Sequence, residues 1–285
     1  FEEEHFTILN GALNVWRLNM KKNIWMTVLT IFTVCCVVGG TFHYYGIFGL
    51  REGFRLGEDR MTRANSDSEF RAIRIDADMM ELSIETGAQF YLSSQYSDTL
   101  KLEYEVKDGT LNIKERNPKK ALWGGRRSEQ CSVTLTVPEG TVMDFMDIKV
   151  AMGNIDIEGI TSPDCDALTN MGSCTLNKCS FDKASIETNM GEITIKDTYL
   201  GTAEVDDDMG SIRIENCTFQ DLEVDNSMGD VLIEANQNLD EYEIDLKAGM
   251  GEVRVNGQNE GTKYRRSGDA GKIKANTSMG SLRLN

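Results

Sequence analysis

The sequence predicts an all-β protein: a single-chain β-solenoid with coils of about 19 residues, preceded by one transmembrane helix. Three observations carry that prediction. A Met-Gly pair recurs at a fixed interval, apolar residues alternate with polar ones between the pairs, and a long uncharged stretch lies early in the chain. The 285 residues suffice for one or two domains with a real core. Only three prolines against 26 glycines favour regular structure with many tight corners over extended linkers.

Taken in order, residues 1–23 read as a cytoplasmic leader and 24–48 as the membrane helix. The latter, IWMTVLTIFTVCCVVGGTFHYYGIF, contains no Asp, Glu, Lys or Arg. As a helix it spans about 37 Å, enough for a hydrocarbon core of roughly 30 Å. Trp25 and the pair Tyr44, Tyr45 sit where interfacial aromatics belong. Arg17, Lys21 and Lys22 precede it and Arg51 and Arg55 follow, so charge alone orients it weakly. The long acidic remainder must lie on one side, which favours the N-terminus in and the C-terminus out. The rival is a cleaved secretory signal starting at Met20, in MKKNIWMTVLTIF. No A-x-A site follows, and FTV before Cys35 is a poor lipoprotein signal, so an uncleaved anchor is favoured. Residues 49–68 read as a polar juxtamembrane linker.

Residues 69–285 are expected to form the extracytoplasmic solenoid, with irregular strands over 69–150 and Met-Gly repeats over 151–285. The pairs at Met152, Met171, Met190, Met209 and Met228 are each nineteen apart; Met250 follows after 22, and Met279 is the last. Numbering each coil from its methionine, apolar residues recur at positions 4 and 6, 9 and 11, and 14 and 16. MGNIDIEGITSPDCDALTN and MGSIRIENCTFQDLEVDNS are examples. Paired alternation of this kind is the period of a half-buried strand, so each coil should hold three short strands. Stacked at about 4.8 Å, position 4 would align Ile155, Cys174, Ile193, Ile212 and Val231. The longer fifth unit reads as a bulge that brings Ile244 level with Val224. Glycine should supply a corner that a side chain would obstruct. Methionine should fill the irregular space beside it, and a thioether ladder for a soft metal such as Cu(I) is the less favoured reading.

The strands FRAIRIDA, LSIETG, GTLNIKE and SVTLTVPEG, followed by repeats of GxIxI, resemble the bacterial putative-adhesin family of β-strand-repeat proteins. The resemblance covers residues 69–285 and is one of pattern. It implies an extracytoplasmic β-solenoid in a bacterial envelope, in a domain of unknown function, and brings no site residues with it. Methionine before the corner glycine departs from the family, which more often has a small or polar residue there.

Composition narrows the function classes. Residues 1–63 hold seven basic and six acidic side chains, which leaves −17 of the net −16 charge on the remainder. Such a surface repels phosphate backbones, so no nucleic-acid partner is expected. The histidines are His5 and His43 alone, which removes Ser-His-Asp, Cys-His and His-based metal motifs from residues 69–285. No Walker loop or dinucleotide fingerprint is present, and the short coils leave little chain for catalytic loops. A non-enzymatic protein without cofactor is expected. Cys131, Cys165, Cys174, Cys179 and Cys217 read as small core residues. Cys179 and Cys217 would lie two coils apart, about 9.6 Å, too far to bridge.

Two surface features remain. Positions 15 and 17 should face outward and stack Glu187, Glu204, Asp206, Glu223 and Asp225 into an acidic ladder, continued by Glu243 and Asp245. Asp206, Asp207 and Asp208 concentrate charge at one corner. The ladder reads either as a low-affinity Ca²⁺ or Mg²⁺ surface or as a solvated face that keeps a sheet soluble. The lack of a Ca²⁺-loop consensus favours the second. The loop NPKKALWGGRR sets Lys119, Lys120, Arg126 and Arg127 around Trp123, a mixture suited to an anionic wall polymer or an acidic envelope protein. The terminal MGSLRLN would be an open edge, through which a homo-oligomer could form. The sequence therefore points to a single-pass, membrane-anchored, adhesin-like binding or scaffold module of the cell envelope. The alternative is an envelope-stress sensing or signalling component that acts through a membrane partner.

Overall fold

The computed structural model describes residues 62–64, 70–96, 101–116 and 131–285. The expected membrane helix at 24–48 and the basic loop around Trp123 lie outside them. Among the described residues no helix is long and apolar enough to cross a membrane. Secondary structure there is β-strand throughout, 22 strands in all.

The nineteen-residue period sets the register. Cys174 pairs with Ile155 on one side and Ile193 on the other, and Ile186 pairs with Ala167 and Val205, all in parallel. A coil is typically a rung of two strands on facing sheets, such as Ile155–Glu158 and Thr161–Met171, while Ile212–Met228 runs through both sheets as one strand. Two strands replace the expected three because the second and third run together. They bend at position 12, where outward-facing residues adjoin, as at Pro163-Asp164 and Asp182-Lys183. The predicted columns at positions 4, 6, 11 and 16 all turn inward. Ile155, Cys174, Ile193, Phe181, Leu200 and Val205 are fully buried. Each such aliphatic side chain withdrawn from water contributes about 1.5–3 kcal/mol, and the stack forms one continuous core.

Rungs are not stacked in chain order at either end. The first rung, Ala72–Ala77 with Glu81–Gly87, lies inside the second, Thr110–Arg116 with Cys131–Pro138. At the other end the last rung, Lys272–Met279 with Leu282–Leu284, inserts between its two predecessors. This corrects three expectations. Ile244 pairs with Ile273, which pairs with Leu222, so it stands at position 14 rather than level with Val224. MGSLRLN is an interior rung, hydrogen-bonded on both sides, and not an open edge. The acidic ladder continues from Glu223 to Lys274 and only then to Asp245, so opposite charges alternate. One consequence is electrostatic: direct stacking of the fifth unit on the fourth in this register would set Asp245 against Glu223, a like pair that costs free energy when held face to face.

Antiparallel strands cover the outer rungs. Tyr91–Tyr96 and Lys101–Lys107 close one end, and Gln258–Asn259 and Lys263–Arg266 close the other. A parallel stack otherwise leaves a row of unpaired backbone groups at each end, which invites uncontrolled pairing.

Candidate functional site

Stacking converts each position of the coil into a column of side chains along the rungs, and four features follow from that. The first is acidic. Glu187, Asp206 and Asp225 stand in register on adjacent strands at position 17, as do Glu204 and Glu223 at position 15. At about 4.8 Å, each adjacent pair of full charges repels by roughly 1 kcal/mol in water. Partial desolvation, then the charges of Asp225, Glu204, Glu187 and Glu223, push the exposed Asp206 carboxyl up to about 6 from its ordinary 3.8. The inserted last rung ends the ladder. Lys274 bonds Glu223, and Asn276 Nδ2 donates to Asp225 Oδ1 at 2.6 Å. Among the described residues no group of three or more His, Cys, Asp or Glu converges as a metal site.

Asp207 does not belong to that surface. It occupies position 18, which faces inward, and is only 3% exposed. Position 18 is a polar inward column of Thr169, Thr188, Asp207, Asn226 and Thr277. Its members serve the Met-Gly corner. Thr169 Oγ1, Asn226 Nδ2 and Thr277 Oγ1 each donate at 3.0 Å to the carbonyl of a corner glycine, Gly153, Gly210 and Gly229 respectively. Asp207 Oδ1 accepts from Thr188 Oγ1 at 2.7 Å and from the Met209 amide at 3.2 Å, while its buried Oδ2 has no partner. The alternation of the strand carries position 18 inward with 14 and 16, a signal the run of three aspartates masks in the sequence.

The second feature is a groove of ≈ 440 Å³ on the outside of the bend. It crosses successive rungs over a floor of Ala184, Ala203 and Leu222. Its walls carry both signs of charge, with Asp164, Glu204 and Asp221 beside Lys183 and Lys272.

The third is a methionine column. Met152, Met171, Met190, Met209, Met228, Met279 and Met250 follow one another along the corner, one per rung. They are 37% to 67% exposed, which corrects the expectation that they pack the corner. There is nothing to fill: the glycine backbones stack so closely that a Cβ on Gly191 would lie 1.9 Å from the Gly172 oxygen. The inward space is already taken by the polar column. The methionine side chains are left at the surface, partly in solvent.

The fourth concerns the cysteines. Cys131, Cys165, Cys174, Cys179 and Cys217 are free thiols, all buried. Desolvation dominates their titration, and pushes Cys131 and Cys174 up to about 12 and Cys217 to about 11. Thiolate is the reactive form, so all five are expected to resist iodoacetamide in the folded protein at pH 8 and to react once denaturant is added. Mass spectrometry of the alkylated peptides reads this directly, and rapid labelling of Cys174 without denaturant would show the core to be open.

A parallel two-sheet solenoid with covered ends and repetitive outer columns defines the class of protein. The chain belongs to the Toastrack DUF4097 family, whose pattern it matches over residues 70–282. Among curated proteins none matches it. Solved structures similar to it include a putative adhesin from Bacteroides fragilis, 12% identical, covering 82% of this chain and 100% of that one with a TM-score of 0.45. Another is a putative lipid binding protein from Parabacteroides distasonis, 18% identical, covering 80% and 98% with a TM-score of 0.46. A putative cell adhesion protein from Clostridium sporogenes is 12% identical, covering 79% and 99%, with a TM-score of 0.30.

Proposed function

We propose that the protein is a non-enzymatic binding or scaffold module, adhesin-like, displayed outside a bacterial membrane and held there by the apolar segment 24–48. The groove over Ala184, Ala203 and Leu222 carries this reading. It runs across the rungs, so an extended polymer laid along it meets a new set of polar side chains at each regular step. Walls of both charge signs suit a ligand with alternating polar groups, such as a wall glycan or an extended segment of an envelope protein. The basic loop with Lys119, Lys120, Trp123, Arg126 and Arg127 supplies a second contact for an anionic partner.

Crosslinking on intact cells, followed by mass spectrometry, tests this. Wild type is compared with a groove variant, Lys183→Ala with Lys272→Ala, and a loop variant with the four basic residues neutralised. Capture of wall polymer or an envelope protein by wild type, lost in the groove variant, is the expected result. Capture unchanged in both variants would remove the binding-module reading. Capture of one membrane protein, abolished when the segment 24–48 is exchanged for an unrelated membrane helix, would favour signalling instead.

A further inference from the structure

The methionine column lies at the surface of this fold. All seven side chains are at least 37% exposed, so each offers part of its thioether to solvent. The backbone at the corner is held by hydrogen bonds such as Gly172 N–H to the Met190 carbonyl at 2.9 Å. Every rung from Met152 to Met250 in the stack carries a thioether at this place. What the seven share is sulfur chemistry, and the strand register brings their backbone positions to one line.

We infer that this column binds soft monovalent metal ions of the Cu(I) and Ag(I) class, each held between thioethers of adjacent rungs. Three arguments support it. Thioether is an uncharged soft donor that selects such ions over Ca²⁺, Mg²⁺ or Zn²⁺ and needs no deprotonation. Neighbouring rungs are about 4.8 Å apart, close to twice the roughly 2.3 Å of a metal–sulfur bond, so one ion can bridge two side chains. Three rotatable bonds let each methionine close the remaining gap. The flanking columns add acidic charge: Asp208 stands on one side and Glu192, Asp230 and Glu252 on the other. Arg213 pairs with Glu192 and Arg254 with Glu252, so Asp208 and Asp230 are the carboxylates that favour a cation there. Among the described residues, the thiols that would compete are buried in the core.

Seven donors taken in adjacent pairs give a capacity of about three ions. The test uses the full chain in detergent with Cys35→Ser and Cys36→Ser, labelled with ¹³C at the methionine methyls and titrated with silver(I). Resonances of the column methionines are expected to shift, while those of Met80, Met143 and Met146, at most 2% exposed, stay in place. Calcium at equal concentration is expected to move none of them. The variant Met171→Leu, Met190→Leu, Met209→Leu keeps the apolar surface and removes three sulfurs. It should melt like the parent and bind silver at least about tenfold more weakly. Undiminished binding by the leucine variant, or shifts that do not single out the exposed methyls, would overturn the inference. An apolar partner on this face, as opposed to a metal, would be untouched by the leucine substitutions.

Discussion

Gly172→Ala is expected to destabilise the protein by more than about 4 kcal/mol, a loss reserved for a short list of severe lesions. At roughly 2–4 °C per kcal/mol for a domain of this size, the melting temperature should fall by about 10 °C or more. Gly172 has φ +147, and a Cβ built on it lies 2.1 Å from the carbonyl oxygen of Gly153 and 2.6 Å from its carbon. Both atoms are backbone, so no side chain can swing aside. Relief would require the rungs to part along the whole corner, because Gly191, Gly210, Gly229, Gly280 and Gly251 stack in the same way. Gly140→Ala is the control. It also has a positive φ, +77, but meets nothing within 4 Å, so it carries only the conformational penalty of about 1–2 kcal/mol. Equal losses in the two variants, read by thermal unfolding, would show that crowding between rungs does not decide the corner.

Asp207→Asn is expected to stabilise the protein by about 1–2 kcal/mol at pH 7, the scale of one buried polar atom left without a partner. A Cβ on Gly210 would sit 2.6 Å from Asp207 Oδ2 and 1.5 Å from the Gly191 oxygen, so these two acceptors crowd one point. One rung on, Asn226 Nδ2 donates to the corresponding Gly210 oxygen at 3.0 Å. The amide of the variant would copy that bond. Burial raises the Asp207 carboxyl above its ordinary 3.8, against the hydrogen bonds from Thr188 and Met209 that hold it down. A carboxyl raised in the folded state costs nothing while it is protonated in both states. Its penalty accrues as pH rises above about 3.8 and is complete above the folded value. Asp206, pushed to about 6, behaves in the same sense. The stabilisation by asparagine should therefore be full at pH 7 and shrink as pH falls towards 4. Denaturant titrations of the two proteins across that window measure it, and a gain independent of pH would show that the Asp207 carboxylate is not the source.

Both predictions rest on the corner, which shows how far the sequence could be read. The interval of nineteen and the apolar pairs pointed to the stacking of coils in register and to the inward columns, though not to the number of strands in a coil, which is two where three were expected. They did so because a repeat that cannot bury its own apolar face must bury it on its neighbour. Spacing of the cysteines likewise placed Cys179 and Cys217 two rungs apart, as found. The methionines were misjudged because spacing reports which residues align but not which way they point at a corner, where strand alternation is interrupted. Asp207 was misjudged for a related reason: a triple aspartate reads as surface until the alternation of its strand is followed through.

The sequence by itself determined the unit of this protein, one rung of nineteen residues with glycine at its corner, since local alternation and the steric demand at glycine are properties of the chain. Only the tertiary structure decided the order of the rungs. The last rung enters between two earlier ones, where Lys274 meets Glu223 and Asn276 meets Asp225. That order is set by pairing between strands distant in sequence, and no single coil carries the information.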